Sequence, residues 1–180
     1  YVQREECFDG TQLAICGVDD LMIRGGSDSP AYTEIVTEPR YATVFIFRDC
    51  ENVVLRNLTM GHTETGQCEG NVLDFYGCNN ISMSAMDLYG CGYYGIGAFK
   101  GTGELYVYSS TIRDCSGGSM NICEADGKLE FHNCWFENNG IWCNYETSST
   151  SNLSFYECCF GSTERDYFMY HPDVYTKDCT

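Results

Sequence analysis

The chain has 180 residues, enough for one domain with a sizeable core, and it carries 10 basic against 26 acidic residues for a formal net charge of −16. That balance excludes a nucleic-acid binder, whose affinity for phosphate comes largely from Lys and Arg. It also argues against a polyanionic substrate such as pectate unless a cation such as Ca2+ bridges the two. No run of 18 apolar residues is present, so no helical membrane span is expected.

The opening YVQREECFDG shows no signal peptide and reads as the interior of a longer product, which leaves room for a removed leader. Thirteen Cys is an odd number, so at least one thiol stays free or pairs outside the chain. CxxC is absent, and His62, His132 and His171 are not spaced with Cys as zinc ligands are. Sequons at Asn57, Asn80 and Asn152 matter only in a eukaryotic source.

Taken in chain order, the elements repeat. A loose first copy, DDLMIRGG, contains Leu21. Better copies follow as ENVVLRNLTM, NNISMSAMDL, GELYVYSSTI, GKLEFHNCWF and SNLSFYECCF, whose first apolar residues are Val53, Ile81, Leu105, Leu129 and Leu153. The steps between them are 28, 24, 24 and 24 residues, the longer one carrying the insertion GHTETGQCEG. Two positions on come Leu55, Met83, Val107, Phe131 and Phe155. Seven positions on come Met60, Leu88, Ile112, Phe136 and Phe160. Alternation at the first columns is that of a half-buried strand, and the later pair, at plus five and plus seven, is a second short strand after a bend.

A third strand precedes each copy: TVFIF, NVLDF, GIGAF and SMNIC. Leu73 and Phe75 are expected inside in one coil, and Ile96, Ala98, Met120 and Ile122 in the next two, with a turn of varying length afterwards. Three short strands per circuit, no helix, and Gly, Asn, Asp and Ser at the corners predict an all-β fold. It is a single-stranded parallel β-helix of six to seven coils with ~24 residues per coil, on the order of 30 Å tall. A leucine-rich repeat competes, since LEFHNCWF fits its consensus and 24 residues is an allowed period. Its return would carry a helix or 3₁₀ turn, whereas ENNGIWCNYETSSTSN and RDCSGGSMNICEADGK are rich in Gly, Asn and Ser. The chain then divides into N-terminal coils and a capping segment over 1–44, regular coils over 45–162, and a tail or cap over 163–180.

The NVxLxN-like coils, with GI opening a strand, resemble right-handed parallel β-helix proteins of the pectin-lyase-like superfamily. The segment from VTEPRYATVFIF to LYGCGYYGI is similar to bacterial members of unassigned role. The resemblance covers roughly residues 10 to 162 and implies the fold and, as a substrate class, carbohydrate. It also leans toward a secreted or cell-surface location. The fold hosts lyases, hydrolases, epimerases, adhesins and inert scaffolds, so it does not by itself give an activity. The Asp cluster that binds Ca2+ in pectate lyases, and the paired Asp of polygalacturonases, have no counterpart here, so Ca2+ has no motif supporting it.

Three constellations have chemical potential. The outward row of the best-defined sheet reads Val54 and Arg56, Ser82 and Ser84, Tyr106 and Tyr108, Glu130 and His132, Ser154 and Tyr156. Tyr106, Tyr108, His132 and Tyr156 on coils about 5 Å apart suit sugar rings, with Glu130, Arg56 and the serines for hydrogen bonds. Aromatic residues also simply cover strands well. The corner after the third wall, with the GHTETGQCEG loop, gathers His62, Glu64, Tyr89, Arg113, Asp114 and Glu137, an acid, a base and a cation for general acid–base work. An ordinary solvated turn row has the same composition.

The third constellation is cysteine: Cys50 with Cys78, Cys91 with Cys115, and Cys134 with Cys158 share columns within disulfide reach, yet reduced thiols pack equally well there. A metal at Cys68 and His62, or a Cys68 or Cys91 nucleophile, would need His62 as partner.

The leading expectation is a carbohydrate-handling β-helix protein that binds, or modifies, a polysaccharide on an outer face; as an enzyme it would be a polysaccharide lyase or resemble a glycoside hydrolase. The alternative is a non-catalytic scaffold or adhesin facing a protein partner, as an oligomer or otherwise.

Overall fold

The computed structural model describes residues 2–5, 12–38, 42–64, 69–90, 92–140, 143–145, 152–161 and 174–180. Strands β1 (Val2–Glu5), β2 (Gln12–Cys16), β3 (Met22–Arg24) and β4 (Glu34–Thr37) open the stack, with a 3₁₀ turn at Pro30–Tyr32. The second coil is β5 (Phe45–Arg48) and β6 (Glu51–His62), and the third is β7 (Leu73–Tyr76) and β8 (Asn79–Tyr89). Then come β9 (Tyr94–Phe99), β10 (Leu105–Tyr108) and β11 (Thr111–Arg113), followed by β12 (Gly118–Cys123), β13 (Lys128–His132) and β14 (Trp135–Glu137). The last coil is β15 (Cys143–Tyr145), β16 (Asn152–Tyr156) and β17 (Cys159–Phe160), and β18 (Val174–Lys177) adds a final rung.

Each strand pairs in parallel with its equivalent one coil away, apart from β1, which lies antiparallel on β2. Ala14, Ile46, Asp74, Gly97, Asn121 and Asn144 stack in one column, so the chain makes about five turns of about 24 residues. That is slightly fewer than the six or seven coils expected. The fold is the expected all-β parallel solenoid.

The predicted columns are the core. Val53, Ile81, Leu105, Leu129 and Leu153 align in register, as do Leu55, Met83, Val107, Phe131 and Phe155, and every one of them is buried. In the first wall, Leu73, Ile96 and Met120 share one inward column and Phe75, Ala98 and Ile122 the next. The parity is therefore constant, and what varies is the following turn: residues 77–78 after β7 against 100–104 after β9. Phe47 stacks on Phe75 at 5.2 Å and Phe131 on Phe155 at 5.1 Å. Each buried ring contributes roughly 1.5–3 kcal/mol of apolar burial.

The corners explain the cysteines. Asp49, Ser109, Asp114, Asn133, Glu157 and Asp178 all take a left-handed conformation, with φ between 46° and 58°. Such a residue turns the chain in one step at a cost of roughly 1–2 kcal/mol. The next residue, Cys50, Ser110, Cys115, Cys134, Cys158 or Cys179, points inward and donates to the carbonyl two residues before it, at 2.8–3.4 Å. Cys134 and Cys158 also reach the coil beneath, at Val107 O (3.5 Å) and Phe131 O (3.4 Å). A thiol is small enough for the corner and adds a second donor to a carbonyl that already accepts a backbone N–H from the neighbouring coil, as His132 O does from Ser109 and Tyr156 O from Asn133. Cys50, Cys78, Cys115, Cys134, Cys158 and Cys179 are thiols and not disulfides. Cys68 and Cys91 lie outside the described residues.

Side-chain ladders run up the same corners. Asn80 donates to Asn52 at 2.6 Å, Asn52 to Asp20 at 3.0 Å, and Asn138 to Asp114 at 2.7 Å. Within the segment expected as an irregular tail, Val174, Tyr175, Thr176 and Lys177 pair with Leu153, Ser154, Phe155 and Tyr156.

Candidate functional site

The outer face of the second wall is built by simple alternation. With Leu55, Met83, Val107 and Phe131 turned in, their neighbours turn out. Arg24, Arg56, Ser84, Tyr108, His132, Tyr156 and Lys177 form one outward column, and Met22, Val54, Ser82, Tyr106, Glu130, Ser154 and Tyr175 the other. Tyr108 stacks on His132 with centroids 5.1 Å apart, and His132 on Tyr156 at 4.5 Å and 9°. Tyr175 continues the series at 5.7 Å from Tyr156.

Glu130 is the hub of this face. Its carboxylate meets Lys128 Nζ at 2.8 Å and His132 Nε2 at 3.3 Å, and accepts from the Tyr156 hydroxyl at 3.5 Å. Burial alone would raise its pKa, but the hydrogen bonds from Lys128 and His132 hold it below its ordinary value. Lys128 also sits 5.9 Å from the Tyr106 ring centre. The five carbohydrate candidates Tyr106, Tyr108, Glu130, His132 and Tyr156 therefore lie on one surface. Lys128 and Tyr175 join them unforeseen. Tyr175 was legible in the sequence, since VYTKDC repeats the pattern of LEFHNC and LSFYEC. A carboxylate, an imidazole and a phenol at this spacing can relay a proton, but they stand on an open sheet face.

At the corner after the third wall the structure gathers Tyr89, Arg113 and Asp114. Together with Ser116, Asn138, Asn139 and Gly140 they line a cleft of about 680 Å³. Arg113 grips Asp87 with two hydrogen bonds of 2.9 Å and Asp114 with a third of 2.9 Å, and its guanidinium lies 4.9 Å from the Tyr89 ring centre. These carboxylates raise the Arg113 pKa, so it is a fixed cation and not a base. Tyr89 Oη donates to Glu34 at 2.6 Å; burial, then that carboxylate, push its pKa up to about 12. Asp87 and Glu34 come from 26 and 55 residues away along the chain, and no sequence signal pointed to them.

The remaining acid–base candidates do not line the cleft, although Glu137 continues the column of Tyr89 and Arg113. Glu137 pairs through its backbone with Arg113 and is exposed. Glu64 is exposed at the start of the insertion. His62 is only 2% exposed and its Nε2 lies 2.7 Å from Ala42 O, which holds the ring beneath the chain and away from the Tyr89 corner. Burial keeps its pKa below the ordinary histidine value, opposed by that hydrogen bond. On the other side of the same segment, Asp74 is 4% exposed and accepts from Thr43 Oγ1 at 3.0 Å and Asn71 Nδ2 at 2.8 Å. Burial pushes the Asp74 carboxyl up to about 6 despite those bonds. Among the described residues, no group of three or more His, Cys, Asp or Glu is placed to hold a metal ion, and no helix is long and apolar enough to cross a membrane.

Residues 35–170 match the family model described as the right handed beta helix region. No curated protein matches the chain.

Proposed function

The chain belongs to the right-handed β-helix family, and from that premise we propose that it handles carbohydrate, binding a polysaccharide along the outer face of its second wall. One observation carries this reading. Tyr106 and Tyr108 on one coil, then His132, Tyr156 and Tyr175 on the next three rungs, stand outward as a polar-edged aromatic strip whose rung spacing of about 5 Å is commensurate with a chain of sugar rings. Lys128 and the Ser82 and Ser84 hydroxyls supply directional hydrogen bonds beside it, with the buried Glu130 carboxylate holding Lys128 and His132 in place. The openness of the face favours binding over turnover. A glycan array, with reducing-sugar and unsaturated-uronate assays, tests the proposal; it expects binding on the array and fails if neither a ligand nor a product is found.

A second reading is favoured by the ladder itself. His132 has both ring faces covered, by Tyr108 and Tyr156, so its edge is what a partner meets. Such edges suit a protein surface, and a scaffold or adhesin would use them so. That reading expects a protein partner, or an oligomer, that is lost when Tyr106 and Tyr108 are both changed to Ala, with no glycan bound.

A further inference from the structure

We infer that Cys158 and Cys179 are a redox modification site, oxidised by a small-molecule disulfide of the glutathione class to a bond that clips the terminal rung β18 to the coil beneath it. β18 pairs in parallel with β16, with Lys177 opposite Tyr156. Two residues on, Cys158 and Cys179 follow the left-handed residues Glu157 and Asp178 and point inward on neighbouring rungs. Strands in register stand about 4.8 Å apart, inside the Cα range of a disulfide, so the rungs need not move to be bridged. Their backbones are already tied together. Glu157 N donates to Lys177 O at 2.9 Å and Thr180 N to Cys158 O at 3.0 Å, and Cys158 N lies 3.4 Å from Cys179 Sγ.

Position singles out this pair among the corner thiols. Cys134, Cys158 and Cys179 follow one another in a single column, and the Cys158 sulfur is in hydrogen-bonding contact with both neighbours. Cys134 and Cys158 are each 1% exposed, whereas Cys179 is part exposed at the end of the stack and gives an oxidant its entry. In the column of Cys50 and Cys78 both thiols are sealed, and burial pushes the Cys78 pKa up to about 12. Cys159 pairs in the register of Trp135 on the third wall and lies outside the column. Once Cys158 is deprotonated, the Cys134 S–H donates to its sulfur and, against burial, brings its pKa below the ordinary thiol value. The middle thiol is therefore the resolving nucleophile. Burial raises the Cys179 pKa, so entry is faster in mildly alkaline solution than at neutral pH.

The chemistry is two successive exchanges. The Cys179 thiolate attacks one sulfur of oxidised glutathione, forming a mixed disulfide and releasing one glutathione thiolate. The Cys158 thiolate then attacks the Cys179 sulfur, forming the Cys158–Cys179 bond and expelling the second glutathione. Two protein thiols lose two electrons, the small disulfide gains them, and the two thiol protons end on the departing glutathiones. The bond closes a loop of 21 residues and ties down β18, the last rung of its sheet among the described residues. Tyr175 stands on that rung, 5.7 Å from Tyr156, so the clip also fixes the last ring of the outward strip.

The test starts from the reduced protein, in which every corner thiol titrates, and exposes it to oxidised glutathione at about pH 8. Cys134→Ser, Cys158→Ser and Cys179→Ser are treated beside the wild type, with melting curves to confirm that each folds. Peptide mapping after acid quenching reads the linkage, and amide exchange over Val174–Lys177 reads the rung. The expected product is a Cys158–Cys179 crosslink in the wild type and in Cys134→Ser. Exchange in β18 then slows about tenfold or more and recovers when dithiothreitol is added. Cys158→Ser should stop at a single glutathione on Cys179, and Cys179→Ser should show neither crosslink nor slowed exchange. A wild type that stays unreacted at Cys179, keeps glutathione there, or joins Cys134 to Cys158 would overturn the pairing. A Cys158–Cys179 crosslink that leaves exchange in β18 unchanged would overturn the clip. Mapping of the wild type decides the pairing even where a variant fails to fold.

Discussion

His132 lies flat between Tyr108 and Tyr156, closer to Tyr156, with 4.5 Å between centroids and 9° between planes, while its Nε2 faces Glu130 at 3.3 Å. The ring is thus held both by stacking and by a carboxylate on its own strand. His132→Ala is expected to lower stability by about 1–2 kcal/mol, each lost ring pair being worth roughly 0.5–1.5 kcal/mol. Urea unfolding measures it. Glu130 has a lowered folded pKa, so its stabilising contribution is complete above the ordinary carboxylate range and disappears as pH falls through that lowered value. Glu130→Gln should remove this contribution from the acid limb of the stability profile and leave the Asp74-linked change at higher pH in place.

Asp74 carries the opposite sign. Its folded pKa of about 6 exceeds the unfolded value of 3.8, so the native state binds the extra proton. Stability linked to Asp74 is full below pH 4 and is lost as pH rises through 6, a change of about 2–3 kcal/mol. Asp74→Asn keeps the shape and the contacts with Thr43 and Asn71. It is expected to be more stable than the wild type at pH 8 and no more stable at pH 4. Equal stability at pH 8 would mean that the buried carboxylate is not destabilising.

The corner thiols act as small inward donors. Cys134→Ser should therefore be tolerated within about 1 kcal/mol, because Ser110 already fills the same corner one coil below and donates to Tyr108 O at 2.8 Å. Cys134→Ala should cost about 0.5–1.5 kcal/mol, since Val107 O and His132 O lose the thiol contact while His132 O keeps the backbone N–H of Ser109. Thiol titration of the unfolded chain, without reductant, should count Cys50, Cys78, Cys115, Cys134, Cys158 and Cys179 as reactive. In the folded state Cys78 should be inert, since burial pushes its pKa up to about 12.

Arg113 ties the third wall to the corner through Asp87, Asp114 and the face of Tyr89. Its side chain is 34% exposed, so solvent screens part of the interaction. Arg113→Met is expected to cost about 1–2 kcal/mol, a fall in melting temperature of a few degrees. Arg113→Lys should recover little, because an ammonium cannot make the paired contact with Asp87. Scanning calorimetry of the two variants separates the fork geometry from the charge.

Much of the fold was legible because a solenoid repeats its constraints. The columns beginning at Val53 and Leu55 recur at a near-constant step, and each coil must bury the same positions against the next. The outward row from Arg56 to Tyr156 followed from alternation alone. The candidate acid–base corner was legible only in part. Tyr89, Arg113 and Asp114 meet because they occupy one corner of neighbouring coils. His62 does not join them, because the segment at Ala42 crosses over it and captures its ring. That contact depends on the path of a loop, which has no period.

By itself, then, the sequence determined the strand positions, the inward columns, the aromatic outer strip and the pairing of a turn-forming residue with cysteine. Each of these is set by local alternation and by a coil length that brings like over like. Only the tertiary structure decided which ring faces the ladder uses up, that Tyr108 keeps one open above Ser84, that Asp87 and Glu34 hold the corner, and that His62 and Asp74 are buried on either side of Ala42 and Thr43. These depend on side-chain reach across coils and on irregular loops, where contacts are chosen by three-dimensional proximity and not by spacing along the chain.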